Sequence, residues 1–337
     1  MSTTRTAVVL ALAVAVALLV GRAAPAASSS TGLRILVFSK TAGFRHDSIP
    51  VGVQALRELG ARNGIQVDAT EDAAAFSDAS LRRYDVVVFL LTTGDVLDDS
   101  QQAAFQRYIR AGGGFAGVHS ASDTEHDWPW YGGLVGAYFR THPAIQRATI
   151  AVADPRDVST RGLPRRWTRT DEWYGFATNP RGAVRVLATL DETSYSPGDS
   201  AMGADHPIAW SHVYEGGRAW YTALGHTQES YSEPLFRQHL LGGILWAAGP
   251  PRIVSLSGAV RQGRLVVSGR QAKCRRCRAE LRIRVRGRSL ATPLRVSGAA
   301  LGGRSAVLPP GRWSYTVVLE DRVTGLSVTV RRLVRVP

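Results

Sequence analysis

Cysteine and lysine are nearly missing from this chain. Its 337 residues include two Cys, and Lys40 and Lys273 are the only lysines among 41 basic residues. No Cys falls between residues 32 and 249, which excludes a thiol nucleophile from that stretch. Both cysteines stand in Cys274-Arg-Arg-Cys277. Tetrahedral zinc takes four ligands, and residues 252–337 hold no His and no further Cys, so a zinc knuckle is excluded there. A redox CxxC opens a helix in a βαβ setting, which is not the pattern around this pair. A local disulfide between Cys274 and Cys277 is the expectation in an oxidising compartment. Its loop is so short that it contributes only about 2 kcal/mol.

Long apolar runs are scarce too. The one at Ala7 to Val20 is too short for a membrane span of about 20 residues. With Arg5 ahead of it and Ala24-Pro25-Ala26 behind, it reads as a signal peptide over residues 1–27. No Cys stands near the cleavage site, so no lipid anchor is expected, and no later stretch is apolar enough for a transmembrane segment. The expected location is therefore secreted, extracellular or periplasmic.

Acidic residues and aromatics are thin in the last quarter of the chain. Residues 252–337 carry 19 Lys/Arg against 3 Asp/Glu, which leaves residues 32–251 slightly acidic. Only Trp313 and Tyr315 are aromatic there, which argues against nucleic acid as a partner. A solvated basic face is one reading of this charge; contact with an anionic cell-envelope polymer is the other.

What is present first is a run of strands of the kind buried on both faces. LRILVFS (33–39) and DVVVFLL (85–91) lack alternation, as in a parallel sheet. A helix over 49–63 is predicted, with Ser48 as cap, Pro50 in the first turn and Gly64 as stop. A short strand at 65–69, a helix over 100–110 and a strand at 115–118 follow. Further strand-like pieces lie at 148–152, 184–190, 208–214 and 218–224, and a helix at about 234–248 precedes the Gly249-Pro250-Pro251 linker. This order predicts an open α/β sheet over residues 32–249 with helices on both faces. Sites in such sheets form beyond the carboxyl ends of the strands, near the switch point. That nominates the loops Ser39–His46, Thr92–Asp95 and His119–Asp127. Residues 252–337 alternate between turn residues and read as a small basic β-sandwich, immunoglobulin-like. In LRIRVR, Leu281, Ile283 and Val285 face its core, while Arg282, Arg284 and Arg286 face solvent.

The chemistry-bearing residues are concentrated in the first region. All eight histidines lie there, and so do seven of eight Trp. Gly117-Val118-His119-Ser120-Ala121 resembles the turn that presents a nucleophile at a strand end, with His119 at its centre. His226 follows another strand, with Glu229 three residues on, a spacing that suits a base and its orienting partner. Histidines and carboxylates can serve as acid and base or bind a divalent metal, although no spacing here matches a strong metal motif. Flat rings beside carboxylates suit sugar recognition, which nominates Trp128, Trp130, Tyr131 and Trp173.

Several segments resemble the ThuA-like (trehalose utilisation) family. KTAGFRHDSI (40–49) resembles its opening motif, and GGGFAGVHSASDTEHDWPWYGGLVGAYFRTHP (112–143) its central one. TDEWY (170–174), HPIAW (206–210) and YTALGH (221–226) resemble later blocks, so the likeness spans about residues 33–249. It implies a flavodoxin-like fold similar to class I glutamine amidotransferases. In those enzymes the elbow carries Cys; here His119 stands in its place, so glutamine hydrolysis is not carried over. The resemblance implies a role in disaccharide or keto-sugar catabolism.

The expected activity is hydrolysis or elimination on a glycoside or keto-glycoside. His119, His226, Asp123, Glu172 and Glu229 are the catalytic candidates. Phe44, Arg45, His46, His142 and His206 join the aromatics above as the expected carbohydrate-binding set. His119, His142, His206 and His226 are candidate ligands of a divalent metal. The alternative is a non-catalytic carbohydrate-binding protein at the cell envelope.

Overall fold

The computed structural model describes residues 32–273 and 276–337. The expected signal peptide lies outside the described residues, as does Cys274 and with it the expected pairing to Cys277. Among the described residues, no helix is long and apolar enough to cross a membrane.

The first part of the chain runs β1 (Arg34–Phe38), α1 (Ile49–Asn63), β2 (Gln66–Thr70), α2 (Asp78–Leu81), β3 (Val86–Leu90), α3 (Asp99–Arg110) and β4 (Gly114–Val118). It continues through α4 (Pro129–Val135), β5 (Phe139–Thr141), β6 (Gln146–Val152), β7 (Arg166–Asp171), β8 (Gly175–Phe176), β9 (Arg185–Asp191), β10 (Pro207–Tyr214), β11 (Gly217–Thr222) and α5 (Pro234–Ala247). Nine of these strands form one sheet in the order β2-β1-β3-β4-β11-β10-β9-β6-β7. The block from β2 to β11 is parallel; from β11 to β7 each neighbour is antiparallel. The chain steps from β1 out to β2 and then back across β1 to β3, so the switch point falls between β1 and β3.

Burial on both faces explains the unbroken apolar runs. Every residue of β3 and of β4 is buried. Phe89 stacks on Phe105 of α3, while the next residue, Leu90, packs against Gly52 of α1. Adjacent strand residues point to opposite faces, so helices cover both sides, as expected. The bounds of α1 match the expectation, and Gly64 ends it in the left-handed conformation with its N–H on Gly60. Ser48 does not act as expected: it is already helical in backbone and makes no capping bond. The cap rule works at α3, where Asp98 and Gln101 form a reciprocal capping box.

The C-terminal strands are β12 (Arg252–Arg261), β13 (Arg264–Ala272), β14 (Cys277–Val285), β15 (Arg288–Ser297), β16 (Ala300–Val307), β17 (Gly311–Asp321) and β18 (Ser327–Val336). They are antiparallel throughout, in the order β12-β13-β16-β15-β14-β17-β18, around a core of their own that includes Leu265, Leu281, Val317 and Leu319. In β14, Leu281 and Ile283 are buried, Val285 is half-buried, and Arg282 and Arg284 are exposed, as the alternation predicts.

Candidate functional site

Parallel β1, β3, β4 and β11 end at one edge of the sheet, and the alternation of direction brings the end of β7 to the same edge. The loops beyond are tied together by hydrogen bonds. Ala42 N–H donates to Thr93 O at 2.7 Å, Gly94 N–H to Asp123 O at 2.8 Å, and Thr93 Oγ1 to Phe44 O at 2.8 Å. The second nominated loop therefore braces the other two.

His119 occupies the turn after β4 at φ +52, in the left-handed region that non-glycine residues seldom adopt. Gly117, two residues earlier, leaves room for Tyr221: a Cβ there would lie 2.9 Å from its ring. Tyr221 in turn donates its hydroxyl proton to His119 O at 2.7 Å. The His119 ring is fully buried, with Nδ1 2.7 Å from Ala223 O, tilted against Tyr174 at 4.1 Å. A carbonyl can only accept, so Nδ1 carries a proton and Nε2 is the nitrogen turned to the cluster.

Three groups gather around that nitrogen. His226 Nδ1 lies 3.2 Å from His119 Nε2, and Glu172 Oε2 lies 3.3 Å from His119 Nε2 and 3.1 Å from His226 Nδ1. His46 closes the group, its ring 5.0 Å from those of both His119 and His226 and nearly perpendicular to each. His46, His119, Glu172 and His226 bring ligand atoms within 4.8 Å of one another, so these four could hold a metal.

A buried network fixes the frame. Asp171 accepts from the backbone N–H groups of Gly225 and His226 at 2.9 and 3.1 Å. Arg169, itself buried, pairs with Asp171 at 3.0 Å and with Glu233 at 2.9 Å. Asp171 thus anchors the β11 exit, and its neighbour Glu172 supplies the carboxylate.

The electrostatics follow from burial and crowding. Burial, and then the nearby His119 and His226, push His46 down to about 3, so it is neutral at ordinary pH. Burial opposes the charge on Glu172, but His119 and His226 outweigh it and hold its carboxyl well below the usual carboxylate range. Burial also opposes a charge on His226, and its contact with Glu172 raises it nonetheless.

A cavity of about 300 Å³ opens onto this cluster, lined by Phe44, His46, Asp123, Phe139, His142, Glu172, Tyr174 and His226. A larger opening of about 500 Å³ over Leu59, Arg62, Pro234 and Arg237 gathers no histidine or carboxylate, so volume alone does not mark the site.

The structure thus brings together His46, His119, Glu172 and His226, with Phe44, Asp123 and His142 on the cavity wall. His142 Nδ1 reaches Glu172 Oε1 at 3.1 Å. Other candidates stand elsewhere. Arg45 turns away to pair with Glu71 at 2.7 Å. Glu229 is exposed on the turn Gln228–Ser232, and the carboxylate facing His226 is Glu172. His206 is buried between Glu192 Oε1 and Tyr174 O, both at 2.8 Å, and is no part of the four-residue cluster. Tyr131 and Trp173 are core residues whose polar atoms reach the backbone of Ala121 and Gln146. Trp128 and Trp130 stack on each other, and Trp130 donates to Glu215. The aromatic walls are instead Phe44, Phe139 and Tyr174. Alternation could have found Tyr174: in extended chain, Glu172 and Tyr174 share one side and Trp173 the other.

The class of protein is thus an open α/β sheet that gathers three histidines and a glutamate beyond its strand ends, with histidine in the turn after β4. The family model for ThuA, trehalose utilisation, matches residues 34–247, and the chain belongs to that family. It is similar in fold to a putative ThuA-like protein from Bacteroides uniformis ATCC 8492, with 22% identity over 67% of this chain and 95% of that one, and a TM-score of 0.56. A putative ThuA-like protein from Parabacteroides merdae ATCC 43184 is similar at 20% identity over 64% of this chain and 90% of that one, with a TM-score of 0.54. No curated protein matches the chain. The family supports a carbohydrate-related role.

Proposed function

We propose that this protein is an exported enzyme that cleaves a disaccharide or keto-glycoside, by hydrolysis or elimination, in the cavity over His119. The observation that carries this is the cavity itself: a buried His–Glu–His floor under three aromatic walls. Aromatic faces take the apolar side of a sugar ring, while carboxylates and imidazoles hold its hydroxyls. About 300 Å³ is at the small end of ligand cavities and suits one ring held inside, with the rest of the substrate at the mouth. Asp123 and His142 stand on the wall, part-exposed, and would exchange protons with that ring and with water.

Incubation of residues 28–337 with disaccharides, 3-keto-disaccharides and aryl glycosides tests the reading. Release of a monosaccharide is expected from at least one, with kcat/KM reduced about 100-fold or more in Glu172→Gln. Saturable sugar binding without product would instead favour the non-catalytic binding protein. Absence of both would remove the carbohydrate reading.

Export by the segment 1–27 implies a mature chain beginning near residue 28 in the medium or periplasm, which N-terminal sequencing of the recovered protein checks. A Cys274–Cys277 disulfide fits that compartment. The tail is read as an immunoglobulin-like domain over 252–337. In support, β12-β13-β16-β15 followed by β14-β17-β18 has the order of the two sheets of a constant-type immunoglobulin domain. Its arginine-studded surface suits an anionic envelope polymer.

A further inference from the structure

We infer that His119 Nε2, His226 Nδ1 and Glu172 Oε2 are three ligands of one divalent first-row transition-metal ion, with His46 as the fourth.

The first argument is convergence. The bond from His119 Nδ1 to Ala223 O turns Nε2 to the cluster. Nε2 faces a carboxylate oxygen at 3.3 Å, and His226 Nδ1 lies within reach of both. His46 joins them, so three imidazoles and one carboxylate turn ligand atoms toward one largely buried place. A cation at the centre gives all of them a common partner.

Geometry is the second. In a tetrahedral site with bonds of about 2.0–2.1 Å, ligand atoms stand about 3.3 Å apart. The three separations here are 3.2, 3.3 and 3.1 Å. The three imidazoles meet edge to face at 5.0, 5.0 and 5.1 Å between ring centres, as rings do when each aims a nitrogen at one point.

The third is outer support of the kind metal ligands have. A backbone carbonyl orients His119. His142 holds Glu172 Oε1 and leaves Oε2 to the cluster. Asp171 pins the His226 backbone. Imidazole with one carboxylate suits zinc, iron, cobalt and nickel better than magnesium or calcium. His46, Glu172 and His226 also line the cavity, so the ion would be open on that side to water or a substrate oxygen.

The test uses the untagged mature chain, stripped by a chelator and titrated with Co²⁺. Uptake of about one ion per chain is expected, with the intense visible absorption of a four- or five-coordinate site. Glu172→Gln and His226→Ala, checked for folding by circular dichroism, should weaken uptake about 100-fold or more. Wild-type uptake no better than that of the folded variants, or a spectrum no different from hydrated Co²⁺, overturns the assignment. The spectrum is read on the wild-type chain, so it decides the assignment even where a variant misfolds. No sugar enters either measurement, so failure here is distinct from failure of the carbohydrate reading.

Discussion

Strands β3 and β17 both run through cores, but they bury different shares of their side chains. All five residues of β3 are buried, whereas in β17 buried residues alternate with partly exposed ones from Tyr315 to Asp321. A sheet covered on both faces keeps its strands apolar and leaves polar chemistry to the loops at their ends. A sheet with one solvated face spends its polar residues along the strands. The distribution of histidine and arginine follows: every histidine lies in the first region, and the tail alternates arginine with aliphatic residues. The histidine cluster thus lies beyond the strand ends of the region whose central strands are covered on both faces.

The largest test of this contrast is of its two cores. Phe89 is fully buried among Phe38, Phe76, Phe105, Phe115 and Tyr131, so Phe89→Ala should cost about 3–5 kcal/mol. Leu319→Ala should cost about 2–5 kcal/mol in the tail. Differential scanning calorimetry should show each variant lowering a different transition. A single transition that both variants shift alike would merge the two regions into one cooperative unit.

A smaller effect separates them by pH. Burial pushes His239 down to about 4, as burial and its neighbours push His46 to about 3. Below about pH 6.5 the unfolded chain takes up protons that these folded histidines refuse, so stability falls as pH falls. The raised His226 acts with the opposite sign: its contribution is full below about pH 6.5 and is lost as pH rises through its folded value. The net loss for the first region should be about 1–2 kcal/mol per pH unit. The tail has no histidine and should be unmoved between pH 6.5 and 5. Urea unfolding across that range checks this, and His239→Gln should flatten the slope. A tail that loses stability equally would break the comparison.

The smallest effect on stability belongs to the exposed arginines. Arg282→Ser with Arg284→Ser should change stability by about 0.5 kcal/mol or less. Retention on an anionic polysaccharide column should nevertheless weaken and elute at lower salt than wild type. Unchanged retention would reduce the basic face to a solvated one.

Some of this was legible in the residues and some was not, for local reasons. The apolar runs of β1 and β3, the glycine stop of α1 and the alternation of β14 are short-range signals, and the structure matches them. Strand β7 was hidden because its sequence, Arg166-Trp167-Thr168-Arg169-Thr170-Asp171, looks polar. Its buried face holds Arg169 and Asp171, whose ion pair shows only when the chain is folded. For the same reason the partner of His226 was sought three residues away at Glu229, whereas Glu172 meets it from another strand. The tryptophans were nominated by type, but their indole faces fill packing space while Phe139 and Tyr174 line the cavity.

By itself the sequence determined the parallel sheet, the histidine in the elbow after β4 and the alternating basic tail. Each rests on spacing along one strand or turn, and spacing is written in the chain. Only the tertiary structure decided which groups share the site. His46, His119, Glu172 and His226 come from four separate strand ends, and their order across the sheet differs from their order in the chain.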